Sequence, residues 1–283
     1  MQPTNVTDLA HRFQQRRPRL RAVAYRMLGS VSEADDAVQE AWLRLSRTDH
    51  ATIENLDAWL TTVVARISLN MLRSRATRNE VHVPEPIVDY ADGPNDPEHE
   101  ALLADEVGLA LLVVLETLTP PERLAFVLHD IFAVPFDEVA RIVDRSPEAA
   151  RQLASRARRR VRGENAVPDA DPATQREVLD AFLKASREGD FDALVGLLDP
   201  DVVVRSHFGP AGTREVRGAE AVARQAQSYA QLGLELKLAL INGAPGSISF
   251  RDGKPFAIGA LTIRDGRIVA MDFVADPAHL SKL

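Results

Sequence analysis

The sequence predicts a multidomain protein: two all-α modules followed by an α+β module built on a curved antiparallel sheet. Three observations carry this prediction. Apolar residues recur at helical spacing up to about residue 162, whereas ELKLALINGAPGSISFRDGKPFAIGALTIRDGRIVAMDFV alternates with a strand period. Aperiodic, proline-containing stretches interrupt the pattern at 80–99 and 165–173. The 283 residues suffice for two or three cores, at roughly 100 to 200 residues each.

The elements follow in order. Residues 7–79 hold about four helical runs, with Gly29-Ser30 ending one and Ser32 able to cap the next. Residues 80–99 carry prolines at 84, 86, 94 and 97 and no period of either kind, so an extended or mobile linker is expected. Residues 100–163 begin with a helix to about Leu118. Thr119-Pro120-Pro121-Glu122 is then a start signal, with Thr as cap and Pro in the first turn. Two short helices, PFDEVARIV and PEAARQLASRARRRVR, are separated only by Asp144, Arg145 and Ser146. The third module, 173–283, starts with two helices. After VVVRSHFGPAGTREVRG and the helix AEAVARQAQSYAQL come four strands, joined by the hairpin signals Asn242-Gly243, Asp252-Gly253 and Asp265-Gly266.

Composition bounds the function. With no cysteine there is no disulfide framework, thiolate zinc site, iron–sulfur cluster or cysteine nucleophile, and no metal or cofactor is expected. No apolar run approaches the ~20 residues that span a bilayer, and the first residues lack an apolar signal core, so a soluble, cytoplasmic protein without membrane contact is expected. The net charge of −7 argues weakly against nucleic acid, but its distribution reverses that inference. Residues 1–79 carry 12 Arg against 8 acids, and 80–99 carry six acids and no base. Between Arg145 and Arg162 stand seven Arg and one Glu. Every base before Lys184 is Arg, which GC-rich codon bias explains more simply than selection for bidentate contacts does.

The two short helices around Asp144–Ser146 have the form of a helix-turn-helix, whose second helix enters the major groove with its N-terminal residues on base edges. Arg151, Gln152, Ser155 and Arg156 share one face there; Arg pairs bidentately with guanine and Gln with adenine. Arg158 and Arg159, with Arg160 and Arg162, suit phosphates. The plainer alternative is a solvated cationic helix end stabilised by its own dipole. Upstream, Asp36, Gln39 and Glu40 share a face at i, i+3 and i+4. Arg66, Asn70 and Arg73 form a polar stripe at i, i+4 and i+7. Hydrated faces would explain both. Trp42 and Trp59 sit in apolar runs and are expected to anchor the core.

Taken together, these residues resemble a family. LRAVAYRMLGSVSEADDAVQEAWLRL followed by WLTTVVARISLNMLRSR resembles region 2 of bacterial sigma factors of the extracytoplasmic-function group, here 7–79. LTPPERLAFVLHDIFAVPFDEVARIVDRSPEAARQLASRARRR resembles their region 4, here 100–163. The resemblance implies that Asp36, Gln39 and Glu40 dock on the clamp helices of the RNA polymerase largest subunit, with region 4 at the core's flap. It implies that Arg66, Asn70 and Arg73 recognise and melt the promoter −10 element, with His50 and Asn55 as further candidates in the preceding loop. It also implies that Arg151, Gln152, Ser155 and Arg156 read the −35 element. Melting requires an extruded base to be held by stacking and hydrogen bonds.

The third module resembles the SnoaL-like branch of the cone-shaped NTF2-like fold, and sigma factors with such a tail form a subgroup. The linker's VPEP (83–86) resembles that subgroup's Pro-Glu-Pro motif, and the terminal DPAHLSKL resembles its Asn-Pro-x-Lys-Leu signature. The sequence departs from the subgroup at 207–213, HFGPAGT, where a Gly-rich Asp-Gly-Gly-Gly-Lys stretch belongs. Relatives of this fold include isomerases that use Asp, His or Tyr, for which His207, Tyr229 and Asp272 are the candidates. His207 in a loop and Asp272 on an alternating final strand read more simply as surface residues, and fold analogy establishes no activity. The expected function is therefore a non-enzymatic alternative sigma factor whose tail acts in cis. The connection from Glu164 to Pro172 is short enough to keep the tail at high effective concentration. The rival reading is a SnoaL-like isomerase or hydrolase fused to a DNA-binding regulator.

Overall fold

In the computed structural model the described residues are 6–49, 52–78, 82–90, 108–163, 171–281 and 283. In chain order they form α1 (Val6–Leu28), α2 (Val31–Arg47), α3 (Leu56–Arg78), β1 (Val88–Tyr90), α4 (Leu109–Glu116), α5 (Pro120–Phe126), α6 (Phe136–Val143), α7 (Pro147–Gly163), α8 (Pro172–Glu188) and α9 (Phe191–Leu197). There follow β2 (Leu198–His207), β3 (Thr213–Arg217), α10 (Ala219–Ala230), β4 (Glu235–Ile241), β5 (Ala244–Arg251), β6 (Lys254–Arg264), β7 (Arg267–Val274) and α11 (Pro277–Leu280). The described residues fall into two units, one drawn from those of 6–78 and 117–160, the other from those of 82–90, 108–116 and 161–283.

The first unit holds α1, α2, α3, α5, α6 and α7. Where about four helical runs are expected in 7–79, three helices form, because α1 continues through Pro18. A proline in a helix interior costs about 3 kcal/mol, and the apolar face of α1 outweighs it: Leu20, Val23, Ala24, Met27 and Leu28 are all buried. Ser30, and not Ser32 as expected, caps α2, because the helix already starts at Val31 and the Ser30 hydroxyl accepts from the Glu33 N–H; Ala34, Ala37, Val38, Ala41 and Leu45 turn inward. Trp42 packs on Phe13 with ring centroids 5.0 Å apart, but it and Trp59 are half-buried rather than core anchors, each lying at the edge of the buried face of its helix. The buried Arg75 ties α3 to α1 by donating to the Leu28 carbonyl at 2.8 Å, and it pairs with Glu33. Arg123 on α5 likewise donates to the Arg26 carbonyl at 3.2 Å. The Thr119 start signal forms as read: Glu122 accepts from the Thr119 N–H at 3.2 Å and from its hydroxyl at 2.7 Å.

The second unit is a seven-stranded sheet in the order β1-β4-β5-β6-β7-β2-β3, antiparallel except for β2 beside β7. At each predicted hairpin both turn residues have positive φ, for example 51° at Asn242 and 77° at Gly243. This left-handed pair matches the twist of the flanking strands, and Asn or Asp followed by Gly tolerates it. Leu179, Val204, Val222, Ile268 and Met271 belong to the core on one face, beneath α8 and α10. On the opposite face Ile241, Ile248, Ile258 and Val274 pack with Val83, with Leu109 and Val113 of α4, and with Leu280 of α11. Both faces of the sheet are thus packed against helices.

The linker differs from its expected lack of strand structure. Val88, Asp89 and Tyr90 pair with Ile241, Leu240 and Ala239, adding a strand to the edge of the tail's sheet. No local period announces this strand because its hydrogen bonds come from an edge some 150 residues away in sequence. Residues 91–99 of the linker, 100–107 of the predicted helix and 164–170 of the second connection lie outside the described residues. Among the described residues no helix is long and apolar enough to cross a membrane.

Candidate polymerase and nucleic-acid interfaces

On α2 the inward alanines and valine leave Asp36 and Gln39 exposed and Glu40 half-buried on the opposite face. Glu40 accepts from the Arg44 Nε at 2.8 Å. Leu43, 39% exposed, completes this face at i+7 from Asp36. Together these residues form one solvent-facing strip of α2. The i, i+3, i+4, i+7 spacing could have identified it from the sequence.

On α3 the residues Arg66, Asn70 and Arg73 are exposed along one stripe, opposite the buried Ile67, Leu69 and Leu72. Arg66 is engaged within the unit, donating to the Arg141 carbonyl of α6 at 3.0 Å. Asn55 caps α3, its Oδ1 accepting from the Ala58 N–H at 3.1 Å. His50 lies outside the described residues.

α6 and α7 form the helix-turn-helix. α6 stops because Asp144 adopts the left-handed conformation, φ 57°. α7 starts where the Ser146 hydroxyl accepts from the Ala149 N–H at 3.2 Å, with Pro147 in the first helical position. Ala150, Ala154 and Ala157 are fully buried, and small side chains there let α7 approach its neighbours closely. Arg151, Gln152, Ser155 and Arg159 consequently point outward and are exposed. The Arg151 guanidinium lies 5.5 Å from the Phe136 ring centroid and 3.7 Å from Glu148, loose contacts that leave it available.

Two of the candidate arginines already have carboxylate partners. Arg156 donates to Glu122 at 2.7 Å and Arg158 to Asp130 at 2.5 Å. Burial by itself raises the pKa of Glu122, but the hydrogen bonds from Thr119 and Arg156 outweigh it and hold the carboxyl below its usual range. Arg160 donates to the Thr117 carbonyl at 2.7 Å. These pairings span 28 to 43 residues and carry no signal in local spacing.

In the tail, the acid–base candidates do not gather. Tyr229 is exposed at the mouth of a cavity on the α8–α10 side of the sheet, whereas His207 and Asp272 lie on the opposite face. The expectation that those two are surface residues is corrected: His207 ends β2 and is 8% exposed, and Asp272 is fully buried. Alternation alone would leave that face to solvent, but α4, the 82–90 segment and α11 cover it. Arg205 compensates Asp272, donating at 3.4 Å, and His207 Nδ1 lies 2.9 Å from the Thr213 hydroxyl. The linker and terminal motifs do meet. Glu85 of VPEP lies 3.6 Å from His279, which itself is 2.5 Å from the Asp276 carboxylate. Gly209, in the divergent 207–213 stretch, passes so close to Asp276 that a Cβ there would stand 2.7 Å from its carboxylate. Among the described residues no group of His, Cys, Asp and Glu could hold a metal ion.

The geometry agrees with comparisons to known proteins. Residues 12–78 match the family model Sigma-70 region 2, and 108–161 match Sigma-70, region 4. The chain is 42% identical over 286 residues to the ECF RNA polymerase sigma factor SigJ of Mycobacterium tuberculosis strain H37Rv, covering 94% of this chain and 91% of that protein. It is 34% identical over 270 residues to the probable ECF sigma factor SigI of M. tuberculosis strain CDC 1551, covering 92% and 91%. The crystal structure of the M. tuberculosis extracytoplasmic function sigma factor SigJ matches with a TM-score of 0.74 at 38% identity, over 96% of this chain and 98% of that one. With two sigma-region models in the right order and near full-length relatives above 30% identity, the chain belongs to the extracytoplasmic-function family of RNA polymerase sigma factors, which bind the polymerase core and direct it to promoters.

Proposed function

We propose that the protein's two sigma modules divide the work by face. Asp36, Gln39 and Glu40, joined by Leu43, dock on the clamp helices of the largest polymerase subunit. Arg66, Asn70 and Arg73 engage the −10 element, for which Arg66 exchanges its bond to the Arg141 carbonyl for phosphate or base. Arg151, Gln152 and Ser155 read base edges of the −35 element. Arg156 joins them while braced by Glu122, and Arg158 and Arg159 contact phosphates. The single observation that carries this reading is the second helix of the helix-turn-helix. Its alanine face is fully buried, and its exposed N-terminal face presents Arg and Gln, the two side chains suited to guanine and adenine.

The tail acts in cis by holding the connection between the sigma modules. Supporting this are β1 in the tail's sheet, the Glu85–His279 contact, and α4, which belongs to the region 4 match yet packs on β6 and β7. The tail works without catalysis, since its His and Asp candidates lie across the sheet from Tyr229. The protein acts in the cytoplasm, where the polymerase is. The deciding experiment is transcription from a cognate promoter with core polymerase, comparing the wild type with Arg151→Ala/Gln152→Ala/Arg156→Ala. The expected result is output that requires core and is lost in the triple variant at an intact −35 element. Equal output from the two proteins would refute the recognition assignment.

A further inference from the structure

The tail encloses a cavity of about 180 Å³ between its sheet and the helices α8 and α10. Its walls are apolar, with Phe182, Val204, Val222, Leu261, Met271 and Phe273 among them. The shape is imposed by a strand glycine: Gly259 sits opposite Phe273, and a Cβ there would stand 2.5 Å from the ring. Phe273 therefore lies flat across β6 rather than filling the space.

The cavity's polar groups are few and uncharged. Ser206, Ser247, Ser249 and Gln225 line it, and Ser249 already donates to the Ala257 carbonyl at 3.2 Å. Gln225 Oε1 is a buried acceptor with no hydrogen-bond partner in the protein. Among the described lining residues there is no carboxylate and no imidazole. The single charged side chain, Arg187, is exposed at the rim. A cation would be buried there without a counter-charge, and an anion would meet one only in the solvated Arg187 at the rim, so charge held deep in the cavity costs much, whereas a hydroxyl or amide N–H would satisfy Gln225. The mouth is also apolar, since Tyr229 and Leu236, both lining residues, are 38% and 40% exposed, and Leu232 nearby is 46% exposed. Exposed apolar side chains gathered at a cavity mouth mark a binding site.

We propose that this cavity is a receptor site for a neutral, largely apolar small molecule carrying one hydrogen-bond donor, which Gln225 Oε1 accepts. The site binds and does not turn over its ligand, because the chain's buried Asp272 and His207 face away from it. This proposal is independent of which residues contact polymerase or promoter.

The test uses the full chain and three naphthalene probes followed by their own fluorescence. These are 2-naphthol, neutral with a donor; 2-methoxynaphthalene, neutral without one; and 2-naphthoate, an anion. The expected result is saturable 2-naphthol binding at one site per chain, with Kd on the order of tens of micromolar, and about tenfold weaker binding of both other probes. Gln225→Leu should bring 2-naphthol to the level of 2-methoxynaphthalene and leave the latter within about twofold. Ala226→Phe, which fills the cavity from α10, should weaken both neutral probes at least about tenfold. Circular dichroism checks that each variant is folded, and if Ala226→Phe is not, Gln225→Leu alone decides. Absence of saturable binding, naphthoate binding as tightly as naphthol, or naphthol binding unchanged in Gln225→Leu would each overturn the proposal.

Discussion

Asn242 offers a direct way to loosen the linker from the tail through a single side chain. Its side chain is fully buried, and its Oδ1 accepts from the Ile87 N–H at 2.7 Å, while its own N–H donates to the Ile87 carbonyl at 2.8 Å. The residue also has φ 51°, so it serves at once as the first turn residue after β4 and as the clamp on β1. Asn242→Gly keeps the turn, because glycine accepts positive φ, and removes only the side-chain acceptor. A buried N–H left unpaired costs about 1–3 kcal/mol, which should speed opening of the 82–90 segment by about 5- to 150-fold. Asn242→Ala loses the same acceptor and adds roughly 1–2 kcal/mol for the left-handed backbone, a cost to the β4–β5 turn that lowers the stability of the tail as a whole. Hydrogen–deuterium exchange over 82–90 reads the effect, and single-round transcription by the same proteins shows whether opening changes output. Unchanged exchange in the glycine variant would refute the clamp; faster exchange with unaltered transcription would refute cis regulation through the linker. A substitution is preferable to truncation after Ala173, which would strip the sheet from the apolar α4 and expose Leu109 and Val113.

Other perturbations separate the remaining roles. Arg151→Ala or Gln152→Ala should each cost about 1–3 kcal/mol of discrimination at one −35 position, whereas Arg159→Ala should weaken all sequences alike and lower the salt slope by about 1; competition among promoter variants at several salt concentrations tells these apart. Asp36→Ala with Leu43→Ala should weaken core binding at least about tenfold, with thermal stability nearly unchanged because both side chains are exposed, as a core-polymerase titration and a melting curve would show. The depressed pKa of Glu122 contributes stability that is present above the usual carboxylate range and lost as pH falls through its folded value. Arg156→Ala should therefore destabilise by about 0.5–1 kcal/mol near neutrality, since the pair is partly solvated, and by less at about pH 3; urea unfolding at the two pH values measures the gap. Asp272→Ala should destabilise by about 3–5 kcal/mol by leaving the Arg205 guanidinium buried without this carboxylate, again read by urea unfolding.

Local chemistry made much of the protein legible in advance. The Asn-Gly and Asp-Gly turns, the Thr119-Pro120-Pro121-Glu122 start and the Asp144–Ser146 turn all form as read, because each depends on the conformational preferences of two to four adjacent residues. The outward faces of α2, α3 and α7 were likewise visible, since helical periodicity separates exposed from buried positions. Leu43 shares the spacing of its polar neighbours, but an apolar side chain does not by its type signal exposure. What periodicity could not give was partnership at a distance. β1 owes its existence to the free edge of β4, and Asp272 and His207 owe their burial to helices from elsewhere in the chain.

By itself, then, the sequence determined the order of the modules, their secondary structure and the chemical character of each face, because these follow from short-range propensity and spacing. Only the tertiary structure decided which polar side chains were already engaged: Arg156 and Arg158 against Glu122 and Asp130, Arg66 against a carbonyl, whereas Arg151, loosely beside Glu148, and the neutral Gln152 face outward. It alone also joined the linker to the tail and left Gln225 facing an apolar cavity. Ion pairing, strand addition and cavity formation depend on distances between residues far apart in the chain, and those distances exist only once the chain has folded.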